Sequence, residues 1–255
     1  MSAPVEADFG PSDLGTREYW DTAYKREIRN FQDHGDIGEV WFGEDTAERM
    51  VEWVEEHYSD ASMPRVLDLG CGNGHLLLEL AERGYQHLFG VDYSETAIIL
   101  ARTIATQTTT SDENNHDSNS ALATLKIDYQ KLDLLDANAV NAYLNHHASG
   151  RSFDIILDKG TLDAISLCPL LPSAATTGAV DETLNLDPKQ RYRDNVHRAL
   201  SDDGMLLITS CNWTQDELIK LLEPRFVYSD HIQYPTFQFG GVAGQKTCTV
   251  AFTKR

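Results

Sequence analysis

Short apolar runs alternate with amphipathic stretches along this chain, and the alternation sets the first expectation. Arg65 to Gly70 (RVLDLG) reads as a strand between Pro64 and a cluster of glycines. Gly74 to Gly84 (GHLLLELAERG) has helical spacing and a glycine stop. His87 to Asp92 (HLFGVD) is a second strand. Ser94 then caps a helix whose apolar positions are 97, 98, 100, 101 and 104. Strands follow at Thr124–Gln130, at Phe153–Asp158 (FDIILD) and at Gly204–Ser210 (GMLLITS). Helices are predicted at Asn138–His147, and at Asp187–Leu200 with Pro188 at the first helical position. Thr214 with Glu217 forms a capping box for a further helix. Phe226–Pro235 and Gln245–Lys254 read as a strand pair, and Glu44–Tyr58 as an amphipathic helix ahead of the first strand.

Strands alternating with helices predict an α/β fold with a parallel sheet covered on both faces. Right-handed crossovers put the strand-to-helix loops on one rim, where ligands bind. A single domain over residues 15–255 is expected, with residues 1–14 disordered. Two polar inserts, near 106–120 and 170–186, read as surface loops.

Composition narrows the partners. The apolar fraction of 41% supports a real core, and no apolar run is long enough to span a membrane. The first residues lack the pattern of a secretory signal. Four cysteines stand without C-x-x-C spacing, so neither a disulfide framework nor zinc is expected, and a cytoplasmic location fits. The nine histidines show no ligand spacing, so no metal is expected. A net charge of −19 repels nucleic acid and would attract a basic protein, although solubility alone also explains it. A monomer is expected.

The loop LDLGCGNGH carries Gly70, Gly72 and Gly74 around Cys71. A dinucleotide fingerprint would place its third glycine at position 75, which is His75. Asp68 would oppose a pyrophosphate but suits the ammonium and sulfonium of S-adenosylmethionine. Asp92 ends the second strand about 20 residues on, where a carboxylate accepts from both ribose hydroxyls. Tyr93 is placed to lie against adenine. Asp133 is placed to accept from the adenine amino group and the Leu134 N–H to donate to the ring; Asp133 as a helix cap, or Asp136 in its place, are the alternatives.

Three acids at three successive strand ends, with this loop, resemble the class I, seven-strand S-adenosylmethionine-dependent methyltransferases. That resemblance implies a sheet ordered 3-2-1-4-5-7-6 with the last strand antiparallel. It also implies that the loop after the fourth strand faces the transferring methyl. The chain has DKGT there, starting at Asp158, rather than the [DN]-P-P-[YF] of many amino methyltransferases.

Four segments carry a narrower resemblance: DKGTLDAI (Asp158–Ile165), the stretch from Tyr19 to Thr46 containing WFGE, LITSCNWTQDEL (Leu207–Leu218), and PTFQFGGVAGQ (Pro235–Gln245). Together they resemble the protein-lysine methyltransferases of translation elongation factor 1-alpha, over nearly the whole chain. The family implies a metal-free cytosolic enzyme that methylates one lysine of a folded, basic partner. It further implies that the segment before the first strand closes over the cofactor. Trp41 is accordingly taken as a cofactor contact, with Trp20, Tyr24 and Phe42 as candidates or core packing.

Lysine attacks only as the neutral amine, and neutralising it at pH 7 costs about 4–5 kcal/mol from a pKa of about 10.4. Burial in an aromatic pocket supplies much of that. Asp158 is the candidate to orient the amine, with a structural cap as the alternative, and water takes the final proton. Asn212 and Trp213 end the fifth strand beside this site. Trp213 is read either as a wall of the lysine channel through cation–π contact or as core. Lys159 is expected to face solvent or form a salt bridge. Phe239 to Gly241 reads equally as a substrate-side loop or a plain hairpin. Other readings of the chain are a methyltransferase acting on another protein or a small amine, or a non-catalytic cofactor-binding regulator.

Overall fold

A computed structural model describes residues 10–58, 63–113, 126–146, 150–168, 187–235, 237–239, 242–244 and 246–255. Seven strands form one sheet: β1 (Arg65–Leu69), β2 (His87–Asp92), β3 (Asp128–Lys131), β4 (Phe153–Lys159), β5 (Leu200–Ser210), β6 (Phe226–Ile232) and β9 (Cys248–Lys254). Their order is β3-β2-β1-β4-β5-β9-β6, with β9 antiparallel to both neighbours. Counted within this sheet, that is the expected 3-2-1-4-5-7-6. Between them run α3 (His75–Glu82), α4 (Glu95–Glu113), α5 (Ala137–His146), α6 (Thr161–Ser166), α7 (Pro188–Ala199) and α8 (Gln215–Leu222). The predicted capping box holds α8: the Thr214 side chain accepts from Glu217 N, and Glu217 accepts from Thr214 N.

Strand parity sorts the side chains into two cores. On β4, Ile156 joins one cluster with Tyr192, Val196 and Leu206, while Ile155 and Leu157 join the other with Leu76, Leu77 and Met50; a register irregularity between Phe153 and Ile155 lets Phe153 join the first cluster out of alternation. Each such buried aliphatic side chain contributes about 1.5–3 kcal/mol. The same parity then assigns the charges at the strand ends. Asp158 follows Ile156 to the first face, whereas Lys159 follows Leu157 to the second. Asp68 on β1 shares the second face with Val66, and its register partner on β4 is Leu157. Strand order reverses between β1 and β4, and such a switch point opens a crevice at the carboxyl ends of the strands.

The N-terminal segment differs from expectation. Ser12 caps a single helical turn, Asp13–Gly15, and Ser12 N donates to Leu167 O at 3.2 Å. Residues 12–14 therefore sit on the end of α6 rather than fray. A Cβ on Gly15 would lie 2.1 Å from Leu167 O, so only glycine allows this approach. Helix α1 (Arg17–His34) follows, capped by Thr16 and stopped by Gly35 in the left-handed region. Tyr24 and Phe31 of α1 pack on Ala97, Leu100 and Ile104 of α4. The predicted amphipathic helix is α2 (Glu44–His57), and it covers the second face. Helix α4 extends to Glu113, so residues 106–113 are helical instead of the expected loop. Residues 114–120 and 170–186 lie outside the described residues, as do Gly240 and Gly241. Phe237–Phe239 (β7) and Val242–Gly244 (β8) pair as an antiparallel hairpin.

Candidate active site

A cavity of about 220 Å³ opens at the switch point. Gly70, Cys71 and Gly72 line one wall. Both glycines have positive φ (61° and 53°), and a Cβ on Gly70 would lie 2.1 Å from Thr161 Oγ1. The loop therefore brings bare backbone to the cavity edge. Gly74 does something different. It caps α3, a Cβ there would meet the Tyr129 hydroxyl at 2.4 Å, and it is not among the lining residues.

Asp92 lines the cavity while almost fully buried. Its Oδ2 accepts from Gly72 N at 3.2 Å and its Oδ1 from Ser94 N at 2.8 Å. Each oxygen keeps a lone pair for a ligand. Burial pushes the Asp92 carboxyl up to about 6, against the pull of those two N–H groups. Tyr93 also lines the cavity, with its hydroxyl donating to Thr16 O at 3.2 Å and Arg17 lying 5.0 Å above its ring. Leu132, Leu134 and Leu135 add an apolar wall. Trp41 also lines the cavity, 5.0 Å from Trp20, as do Phe42 and Tyr24.

Asp133 stands elsewhere. Its side chain is 46% exposed, pairs with Arg17 of α1 at 3.4 Å, and accepts from Leu135 N at 2.9 Å. It is a turn cap and a tether for α1 and does not line the cavity, because the turn rotates its carboxylate outward. Asp68 is buried in β1 behind the glycine loop and is likewise not a lining residue. Burial raises its carboxyl, with Lys159 opposing and Asp158 and Asp92 adding to the rise.

The largest departures concern the reacting end. Asp158 is 0% exposed and does not line the cavity. Its carboxylate accepts from Thr161 N (2.8 Å), from Leu162 N (3.0 and 3.3 Å) and from the Tyr192 hydroxyl (2.6 Å). Strand parity turns it under the N-terminus of α6, where it is spent as a cap. Burial raises its carboxyl to about 7 despite these donors. Asp163, five residues on, does line the cavity. It is 6% exposed and accepts from Ser210 Oγ (2.5 Å), Cys211 N (2.9 Å) and Cys211 Sγ (3.4 Å). Asn212 lines the cavity beside it. Trp213 does not; it belongs to the first core, with its Nε1 donating to Ser166 Oγ at 3.2 Å and Lys189 lying 5.8 Å over its ring. Lys159 is the reverse case: expected at the surface or in a salt bridge, it lines the cavity and its ammonium donates to Trp41 O at 2.9 Å.

The sequence reading missed Asp163, Tyr192 and α1. The signal for Asp163 was spacing. In DKGTLDAI a helix begins at Thr161, so its third residue faces back toward the rim.

A family model for a methyltransferase domain matches residues 60–241. The protein-lysine N-methyltransferase efm4 of Schizosaccharomyces pombe is 39% identical over 255 residues, covering 94% of each chain. The EEF1A lysine methyltransferase 2 of Danio rerio is 36% identical, covering 96% of this chain and 89% of its own. This chain belongs to the EEF1A lysine methyltransferase 2 and EFM4 family. Among solved structures, the magnesium protoporphyrin IX methyltransferase of Synechocystis with bound SAM superposes with a TM-score of 0.54 at 17% identity, covering 97% of this chain and 99% of that one. It shares the fold. The family assignment agrees with a cavity lined by a glycine loop and by the acids Asp92 and Asp163.

No group of His, Cys, Asp and Glu among the described residues could hold a metal ion. No described helix is long and apolar enough to cross a membrane.

Proposed function

We propose that this chain transfers a methyl group from S-adenosylmethionine to a lysine of translation elongation factor 1-alpha, acting as a cytoplasmic monomer. The observation that carries the reading is that one cavity holds both halves of the chemistry. Gly70, Gly72 and Asp92 line it, and so do Asp163 and Asn212. The relatives named for elongation factor 1-alpha supply the substrate, and the net charge of −19 suits a basic protein partner.

The residues present fit the cofactor. Asp92 offers lone pairs to vicinal hydroxyls, the left-handed glycines allow close approach, and the three leucines with Tyr93 and Trp41 provide apolar walls for a purine. When bound, S-adenosylmethionine supplies an electrophilic methyl on a sulfonium. Asp163 accepts a hydrogen bond from the incoming amine and directs its lone pair, held in place by Ser210 and Cys211. Aromatic walls exclude water and favour the uncharged amine. A carboxylate next to the amine disfavours deprotonation, so Asp163 orients and water carries the proton away. Positioning then supplies much of the acceleration.

Asp92 makes cofactor binding pH-dependent. The hydroxyls donate to its ionised form, so affinity is nearly full about one pH unit above 6, is about halved at that value and falls further below it. Titration calorimetry with S-adenosylhomocysteine from pH 5 to 8 is expected to show this decline, and Asp92→Asn to remove both the decline and most of the affinity.

The test of function is methyl transfer from radiolabelled S-adenosylmethionine into an extract of cells lacking the gene. A labelled band at elongation factor 1-alpha with one methylated lysine supports the reading. Label in other proteins keeps the reaction and discards the substrate. Absence of label despite cofactor binding turns the reading toward a small amine substrate or a binding module.

A further inference from the structure

Lys159 carries a charge that no carboxylate among the described residues meets in a direct ion pair. It ends β4 on the second face and lines the cavity. Its ammonium has three donors, and one of them reaches Trp41 O at 2.9 Å. Among the described residues no carboxylate lies within 4.0 Å of it. Asp158 is turned to the other face and is occupied by Thr161, Leu162 and Tyr192. Asp68 shares the face of Lys159 but stays beyond ion-pair distance. Burying a cation with no carboxylate in direct contact is costly, and burial lowers its proton affinity while the more distant Asp68 and Asp158 oppose that.

The cavity explains why such a charge is kept. Its other ionisable lining groups include the acids Glu39, Asp92 and Asp163, and Lys159 is the one cation among its described lining residues. S-adenosylmethionine carries a single anion, the α-carboxylate of its amino-acid portion. An acidic cavity repels that group everywhere except beside Lys159. The glycine loop lies between Asp92, which holds the ribose end in the reading above, and β4.

We infer that Lys159 is the counter-ion for the α-carboxylate of the cofactor, giving it the two N–H donors not used by Trp41 O. The inference rests on the proposed cofactor and assigns the residue that fixes its amino-acid end. Trp41 then has two jobs: its ring walls the cavity, and its carbonyl aims the lysine.

The test pairs a change in the protein with a change in the ligand. Binding of S-adenosylhomocysteine and of its decarboxylated counterpart is measured by calorimetry for the wild-type chain and for Lys159→Met, with Lys159→Gln as a second neutral variant should the first not fold. The wild type is expected to prefer the carboxylated ligand by about tenfold or more, as for a charge-assisted pair. The neutral variants should lose most of that preference and keep their affinity for the decarboxylated ligand within about threefold. Lys159→Arg should retain part of the preference. Absence of a preference in the wild type overturns the inference. So does an equal loss of both ligands in the neutral variants, which would make Lys159 a structural tether for Trp41. If the wild type binds neither ligand, the cofactor reading itself fails, and that outcome is distinct from the other two.

Discussion

Replacing Asp163 with asparagine is expected to lower methyl transfer about a hundredfold or more while leaving cofactor affinity within about twofold, the scale of loss that follows when a reacting group is slightly misplaced. Asp163 lines the cavity beside Asn212 and is held by Ser210 and Cys211, so its carboxylate is fixed before any substrate arrives. Asparagine keeps the volume and one carbonyl oxygen but puts an NH₂ donor where an acceptor faced the amine. Burial also pushes the Asp163 carboxyl upward from its ordinary range. An orienting role requires the ionised form, so the wild-type rate should fall on acidification through that raised value, and the variant should lose this limb of the profile. The measurements are single-turnover methyl transfer across pH and a calorimetric dissociation constant for S-adenosylhomocysteine. Wild-type transfer by the variant would remove Asp163 from the reaction.

Asp158→Ala is expected to act on the fold. It leaves three donors, Thr161 N, Leu162 N and the Tyr192 hydroxyl, without an acceptor at a site with no solvent exposure. Each buried orphan costs about 1–3 kcal/mol, and the loss of a buried charged hub about 3–5 kcal/mol in all. For a chain of this length each kcal/mol lowers the melting temperature by about 2–4 °C, so the fall should be about 6–20 °C. Tyr192→Phe removes one donor and keeps the other two, so it should cost about 1–2 kcal/mol. The double variant should cost less than the sum, since the two groups share one interaction. Thermal melts and denaturant titrations read all three. An Asp158→Ala protein that melts like the wild type yet transfers no methyl would return Asp158 to the reacting centre.

These two predictions differ because five residues of sequence separate a cap from a site. The chain order DKGTLD shows two acids at a strand end, and its spacing favours Asp163 only once the start of α6 at Thr161 is known. Strand parity decides it. Beyond the irregularity that follows Phe153, Ile156 and Asp158 fall on one face and Ile155, Leu157 and Lys159 on the other, and the first turn of α6 then brings Asp163 back to the rim. The same cause turned Lys159 away from the expected solvent or surface salt bridge and into the cavity.

Local chemistry determined a good deal by itself. Alternating strands and helices, with glycines after β1, specified the doubly covered sheet and its active rim, because crossover handedness leaves few other arrangements. The Thr214–Glu217 box and Pro188 were legible because caps depend on neighbours in sequence. Gly70, Cys71, Gly72, Asp92, Tyr93, Leu134 and Asn212, read from short motifs at strand ends, line the cavity, as does Trp41, which only the family resemblance pointed to. Gly74 was read as part of the loop, but the Tyr129 hydroxyl closes it off. Asp133 was read toward adenine, but Arg17 of α1 draws it outward. Helix α1 itself has few apolar positions, and its value lies in packing on α4, a contact between residues some 70 apart. What the tertiary structure alone decided is where each charge points, since that depends on the pleat of a strand and on partners brought from distant segments.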